Sequence, residues 1–183
     1  MLRVTSGTAK GRKLKVPPIK DFRAVQDKVK LAIFSILGDR IIGSVCLDLY
    51  AGSGSLGIEA LSRGASHCDF VDKSRLAELT ILENLQTLGF SEQAQTIRAD
   101  AVKFVGNTQE KYDIVFADPY YKEIHFRFLF ENIQEVLLHG GVVIFSHGKE
   151  TNVNDALLNA PKLKLLDTRK YGSSFISIIN KVS

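Results

Sequence analysis

The chain has 183 residues, 45% apolar and 24% charged, with a formal net charge of +4; this mix excludes a disordered or fibrous protein. One domain of this length buries a core without disulfide or metal staples, and no apolar run approaches the roughly 18 residues of a membrane span. Cys46 and Cys68 sit inside apolar runs and read as reduced, buried thiols; residues 1–7 lack the apolar core of a signal peptide, so the expected location is the cytoplasm.

In chain order, residues 1–16 alternate weakly around Ser6-Gly7-Thr8 and Lys10-Gly11, which predicts a small hairpin stopped by Pro17-Pro18. Helical apolar spacing follows over 24–37 and ends at Gly38. A strand–helix alternation then begins. Strands are expected at 45–50, 67–72, 94–98, 112–117 and 142–146. Helices are expected at 56–63, 74–88, 101–105, 126–138 and 152–159. Two last strands, 163–167 and 175–179, form an antiparallel pair around Tyr171-Gly172. Such alternation implies right-handed crossovers and a mostly parallel sheet covered on both faces. A ligand then lies beyond the carboxyl ends of the strands, where strand order reverses. Three expected strand ends carry acids, Asp72, Asp100 and Asp118, and Asp48 lies near a fourth. His67, His125, His139 and His147 show no ligand spacing, so no metal is expected.

Charge is uneven. Residues 1–30 hold nine basic and two acidic groups (+7), leaving 15 basic and 18 acidic groups (−3) for residues 31–183. A basic arm on a near-neutral body attracts a polyanion, although a solvated basic tail has the same composition.

Gly52-Ser53-Gly54-Ser55-Leu56-Gly57 fits G-x-G-x-x-G between a strand and a helix, so a dinucleotide site is open. Asp48 argues against it. A carboxylate four residues before the first glycine repels a pyrophosphate and attracts the ammonium and sulfonium of S-adenosylmethionine. Asp72 suits ribose hydroxyls in either case, and Asp100 suits an adenine amine. No Gly-Lys-Ser/Thr follows the turn, so a P-loop is not supported. Asp118-Pro119-Tyr120-Tyr121 follows an apolar strand. There Asp118 and the Pro119 carbonyl can accept the two hydrogens of an exocyclic amine while Tyr121 stacks on its base, and the proline restricts the backbone that carries the acceptors.

These segments together resemble the RsmD-type family of bacterial 16S rRNA guanine-N2 methyltransferases. The likeness runs from Arg3-Val4, Gly7 and Lys10-Gly11-Arg12-Lys13-Leu14 through Arg23, Asp27-Lys28-Val29-Lys30 and Phe34-Ser35-Ile36-Leu37. It continues through Leu47-Asp48-Leu49-Tyr50-Ala51-Gly52-Ser53-Gly54-Ser55-Leu56-Gly57-Ile58-Glu59-Ala60-Leu61-Ser62-Arg63-Gly64-Ala65 and Asp113-Ile114-Val115-Phe116-Ala117-Asp118-Pro119 to Tyr171-Gly172. The resemblance implies a three-layer α/β/α, Rossmann-like class I methyltransferase sheet of seven strands with a C-terminal antiparallel hairpin. A small N-terminal hairpin and helix (residues 1–38) would precede the core (39–183) in a single domain. It implies S-adenosylmethionine as donor and no metal. The acceptor would be the N2 amine of one guanine, that at ribosomal position 966, in 16S rRNA or the assembling 30S subunit, and the enzyme would be monomeric. By position, Asp48, Tyr50, Ala51, Gly52, Ser53, Gly54, Asp72, Lys73, Asp100 and Ala101 would line the donor. Asp118, Pro119, Tyr120 and Tyr121 would form the catalytic turn, and Arg3, Lys10, Arg12, Lys13, Arg23 and Lys28 would meet RNA. Tyr120 stands where the family has a second proline, Arg23-Ala24-Val25 where it has Arg-Pro-Thr, and Lys28 and Lys30 where it has arginines, which alone make bidentate forks. The alternatives are a small-molecule methyltransferase, a non-catalytic RNA-binding module on the same fold, and a dinucleotide-dependent oxidoreductase.

Overall fold

The computed structural model describes residues 1–119 and 126–182. In chain order the elements are α1 (Asp27–Leu37), β1 (Val45–Leu49), α2 (Ser55–Ser62), β2 (His67–Asp72), α3 (Arg75–Leu88), β3 (Ala94–Arg98) and α4 (Ala101–Asn107). Then come β4 (Tyr112–Ala117), α5 (Phe126–Val136), β5 (Leu137–His147), α6 (Val153–Ala156), β6 (Leu163–Tyr171) and β7 (Ser174–Lys181). All seven strands join one sheet in the order β3-β2-β1-β4-β5-β7-β6. The first five run parallel, and β7 pairs antiparallel with both β5 and β6. Strand order reverses beside β1: β2 and β3 lie to one side and β4 to the other, which makes the carboxyl ends of β1 and β4 the switch point.

Side chains alternate across the strands and feed two cores. Cys46, Phe70, Ile114, Phe116 and Ile144 pack with Ile33, Phe34, Leu37, Leu56 and Ile81 from α1, α2 and α3. Leu47, Leu49, Val71, Val115 and Phe145 pack with Val105, Leu129, Phe130, Ile133 and Val153 from α4, α5 and α6. Burial on both faces explains why β1 and β4 read as nearly unbroken apolar runs.

Several expected boundaries shift. Helix α1 begins at Asp27 rather than 24, because Gln26 is extended at ψ 148 and serves as its N-cap. Strand β1 ends at Leu49 because Tyr50 turns to φ +58. Helix α2 covers Ser55–Ser62, one residue earlier at each end than expected, because Gly54 at φ +75 releases the chain into it. Helix α5 stops at Val136 and β5 starts at once at Leu137, pairing with Tyr112 before a register shift and the Gly140 bend. Helix α6 is one turn, capped by the Asn152 side chain, instead of eight residues. The last hairpin is longer than expected. The N-terminal hairpin forms only one bridge, Arg3 to Lys13, supported by backbone bonds from Val4 to Arg12 and from Leu14 to Leu2.

That hairpin is held by α2 rather than by its own ladder. The Ser62 carbonyl accepts from Thr8 N–H at 2.8 Å, and a Cβ on Gly7 would lie 1.8 Å from the same oxygen, so only glycine permits the approach. Glu59, fully buried, accepts from Thr5 N–H at 2.8 Å, Thr5 Oγ1 at 2.6 Å, Ser6 N–H at 3.0 Å and Arg63 Nε at 2.9 Å. Lys30 is also fully buried, 3.8 Å from Glu59 and 3.5 Å from Asp27, and donates to the Arg3 carbonyl. Burial pushes its ammonium below the usual lysine range while Glu59 and Asp27 pull it back up. One of the nine cations of the basic arm is therefore part of the core.

Candidate functional site

The glycine turn is built by φ values that other residues resist. Gly52 and Gly54 sit at φ +57 and +75, and Tyr50 shares the left-handed region at φ +58. A non-glycine residue there costs on the order of 1–3 kcal/mol, strain typical of functional sites. Gly57 has a different reason. A Cβ on it would meet Phe70 at 2.3 Å and the Cys68 sulfur at 2.7 Å. Its absence lets the first turn of α2 press onto β2, the close helix–sheet packing assigned to a third glycine. G-x-G-x-x-G is thus satisfied by backbone geometry whatever the ligand.

That close packing brings Gly57 N–H within 2.9 Å of the Asp48 carboxylate. Asp48 is 2% exposed, beneath the turn, and helps to satisfy the amino end of α2. Burial pushes its pKa well above the usual carboxylate range; the Gly57 hydrogen bond opposes this, and the charges of Asp118 and Asp72 reinforce it. Asp72 ends β2 and braces the turn from the side, accepting from Gly52 N–H at 3.0 Å and Ser74 N–H at 2.8 Å. Asp118 N–H reaches the Leu49 carbonyl at 3.5 Å, which sets it beside the start of the glycine turn. Burial raises its pKa, and a hydrogen bond from the Ser146 side chain on β5 offsets part of the rise.

Three of the four acids therefore converge at the switch point. The fourth does not join them: Asp100 is exposed and caps α4, accepting from Lys103 N–H at 3.0 Å. Ala101 beside it is buried in the core, and Lys73 is exposed. Pro119 is buried, and Tyr120 and Tyr121 lie outside the described residues. Arg3, Lys10, Arg12, Lys13, Arg23 and Lys28 are all exposed. Arg3 pairs with Asp27 at 3.2 Å, and Arg12 donates to the Thr87 carbonyl at 2.9 Å.

Sequence reasoning missed three residues here. Phe22 lays its ring on the turn, 2.8 Å from where a Gly52 Cβ would be. Asn84, buried on α3, accepts from Lys15 N–H at 2.9 Å and donates to the carbonyls of Lys15 at 3.0 Å and Ser53 at 3.1 Å, tying the N-terminal segment to the turn. Ser146 favours the ionised form of Asp118. None carries a local signal, because each acts through a contact between distant segments.

The arrangement suits a cationic ligand. Converging carboxylates make the potential at the switch point negative, and the positive-φ backbone permits close approach. A pyrophosphate there meets like charge; an ammonium or sulfonium meets opposite charge. Among the described residues no His, Cys, Asp or Glu group has the arrangement of a metal site, and no helix is long and apolar enough to cross a membrane.

Comparison with known proteins adds four findings. The family described as "Conserved hypothetical protein 95" matches residues 2–180. A Bacillus subtilis (strain 168) protein named "Putative rRNA methyltransferase YlbH" is 38% identical over 187 residues, 98% of this chain and 99% of that one. The "Ribosomal RNA small subunit methyltransferase D" of Escherichia coli (strain K12) is 36% identical over 118 residues, 64% of this chain and 59% of its own length. Among solved structures, "Putative methyltransferase yhhF from Escherichia coli" superimposes with a TM-score of 0.86 at 25% identity, over 100% of this chain and 98% of that one.

Proposed function

Because the chain belongs to the Conserved hypothetical protein 95 family, the RsmD-type methyltransferases, we propose that it methylates ribosomal RNA with S-adenosylmethionine as donor. The finer proposal is that the acceptor is the N2 amine of a guanine in the small-subunit RNA, at position 966. The observation that carries the reading is Asp118, set by its N–H to the Leu49 carbonyl next to a glycine turn underlain by Asp48 and flanked by Asp72.

The chain's own groups then divide the work. The backbone of Tyr50, Ala51, Gly52, Ser53 and Gly54 forms the cradle for the amino-acid end of the donor. Asp48 supplies a negative field from below, Asp72 offers remaining lone pairs to ribose hydroxyls, and Lys73, Asp100 and Ala101 border the adenine end. S-adenosylmethionine itself supplies an activated methyl group on a positively charged sulfur. Asp118 accepts a hydrogen bond from the guanine amine, and the Pro119 carbonyl accepts the second. Together they aim the nitrogen lone pair and stabilise the positive charge that grows on nitrogen in the transition state. Burial raises the Asp118 pKa and strengthens its carboxylate as an acceptor, and Ser146 opposes the rise by favouring the ionised form. Tyr120 and Tyr121 follow in sequence, and the role proposed for Tyr121 is to stack on the extruded base. The exposed cations Arg3, Lys10, Arg12, Lys13, Arg23 and Lys28 neutralise phosphates of the RNA.

Mass mapping of modified guanines in 16S rRNA from cells with and without this gene tests the proposal. One N2-methylguanosine, at position 966, is expected to vanish on deletion and to return when the purified protein and S-adenosylmethionine are added to RNA or 30S particles from the deletion strain. Identical maps from both strains would contradict it and favour a small-molecule acceptor or a purely RNA-binding role.

A further inference from the structure

The last row of the sheet, on the side away from β2 and β3, carries a feature that the methyl-transfer chemistry does not use. His147 ends β5 and pairs across strands with Phe175 on β7, which pairs in turn with Lys170 on β6. Directly opposed residues on adjacent strands share a sheet face, so the three side chains form one row. The His147 and Phe175 rings lie nearly parallel, at 18° with centroids 5.8 Å apart, and the Lys170 ammonium lies over the Phe175 ring at 6.0 Å. Phe175 is half-buried and Lys170 exposed.

The row is backed rigidly. His147 stacks on Phe145 at 5.0 Å, and Phe145 is wedged edge-on by Phe126 at 5.1 Å and Phe130 at 5.0 Å. Both nitrogens of His147 are engaged: Nδ1 with the Gly148 carbonyl at 2.9 Å, Nε2 with Ser177 Oγ at 2.8 Å. A carbonyl only accepts, so Nδ1 bears the proton and Nε2 accepts from the Ser177 hydroxyl. Ser177 Oγ in turn accepts from Thr168 Oγ1 at 2.7 Å. Burial holds His147 below the usual histidine range, in keeping with a neutral ring.

Its position matters. The row lies at the same end of the strands as Asp118, and β7 is two strands from β4, about 10 Å across the sheet. Ser146, beside Asp118, directly precedes His147, so the same strand end carries both, with the two side chains on opposite faces of the sheet. A rigid, partly exposed ring with a cation at its face matches the chemistry of an unpaired nucleotide, whose base stacks on the ring while the ammonium meets its phosphate.

We propose that His147, Phe175 and Lys170 form a stacking platform for an unpaired nucleotide flanking the target base; this rests on the RNA reading above. The test is equilibrium binding of a labelled, protein-free 16S rRNA transcript over a range of salt, alongside S-adenosylmethionine binding, methyl transfer and Tm. Phe175→Ala is expected to raise the RNA Kd about fivefold to a hundredfold with S-adenosylmethionine affinity unchanged. Phe175→Leu keeps the apolar bulk and Tm but is expected to show the same loss, and Phe175→Tyr to restore binding to within about twofold of the original. Lys170→Gln is expected to lower the slope of log Kd against log salt by about 0.7, one phosphate contact on a single strand. RNA binding by Phe175→Leu equal to the unmodified protein, or an unchanged salt slope in Lys170→Gln, overturns the platform. If the unmodified protein still methylates the transcript in that case, the platform alone has failed. If it neither binds nor methylates the transcript or 30S particles from the deletion strain, the RNA reading has failed with it.

Discussion

Asp118→Ala is expected to reduce methyl transfer by at least about 10²-fold, the cost of losing one preorganised partner for transition-state charge, while S-adenosylmethionine binds within about threefold of its original affinity. The separation follows from the site's construction. The glycine turn is braced by Asp72 through Gly52 and Ser74, and by Asp48 through Gly57; Asp118 holds none of these amides. Among the described residues its contacts are a long backbone bond to the Leu49 carbonyl, which alanine keeps, and the Ser146 side chain, which alanine loses. Removing the half-buried carboxylate also relieves its repulsion of Asp48, so the fold has no reason to weaken. Single-turnover transfer and calorimetric donor binding separate the two effects. Full activity in the variant would end the catalytic assignment, and lost donor binding would make Asp118 part of the donor cradle instead.

Glu59→Ala is expected to be the most damaging single change outside the site. It strips a fully buried carboxylate from two backbone amides, a hydroxyl and a guanidinium, and leaves Lys30 buried with only Asp27 as a nearby countercharge. Breaking one partner of a buried ion pair costs about 3–5 kcal/mol, or a Tm lower by roughly 6–20 °C for a domain of this size. The N-terminal hairpin docks through this residue, so protease cleavage within residues 1–16 is expected to accelerate in step. The double variant Glu59→Gln with Lys30→Met, which leaves no unpaired buried charge, is expected to recover most of the Tm. Thermal melts and limited proteolysis read both effects; a Glu59→Ala melt within about 2 °C of the original would show that the network contributes little.

What the sequence revealed and what it hid divides along physical lines. Strands β2 and β4 end where the sequence placed them, because Asp72 and Asp118-Pro119 interrupt apolar runs abruptly; β3 ends at Arg98 as placed, although it carries no apolar run. Ser74 and Gly89 bound α3 for equally local reasons, a side-chain cap and a left-handed stop. Boundaries failed where local pattern and pairing disagree. Leu137 and Leu138 extend the helical spacing of α5, yet pairing with Tyr112 draws Leu137 into β5. The carboxylates at the switch point were legible because motif spacing locates them. Asp100 reads two ways, since a strand-end acid and a helix cap look alike in sequence; here it is exposed and caps α4. Lys30 was counted as surface charge because nothing local marks it as buried; Asp27 lies one helical turn away, but Glu59 arrives from another helix. Phe22, Asn84 and Ser146 stayed hidden for the same reason.

The central claim is that the buried carboxylate under the glycine turn selects a cationic sulfur donor over a phosphate-bearing one. Calorimetric titration of the protein and its Asp48→Asn variant with S-adenosylmethionine and with NADH tests it most directly. The unmodified protein is expected to bind S-adenosylmethionine and to give no heat with NADH. Because burial raises the Asp48 pKa in the free protein and a bound cation favours the ionised form, binding should release protons and tighten as pH rises. Asp48→Asn should lose both the pH dependence and much of the affinity. NADH binding as tight as that of S-adenosylmethionine, or an Asp48→Asn variant with the original affinity and pH profile, would contradict the claim.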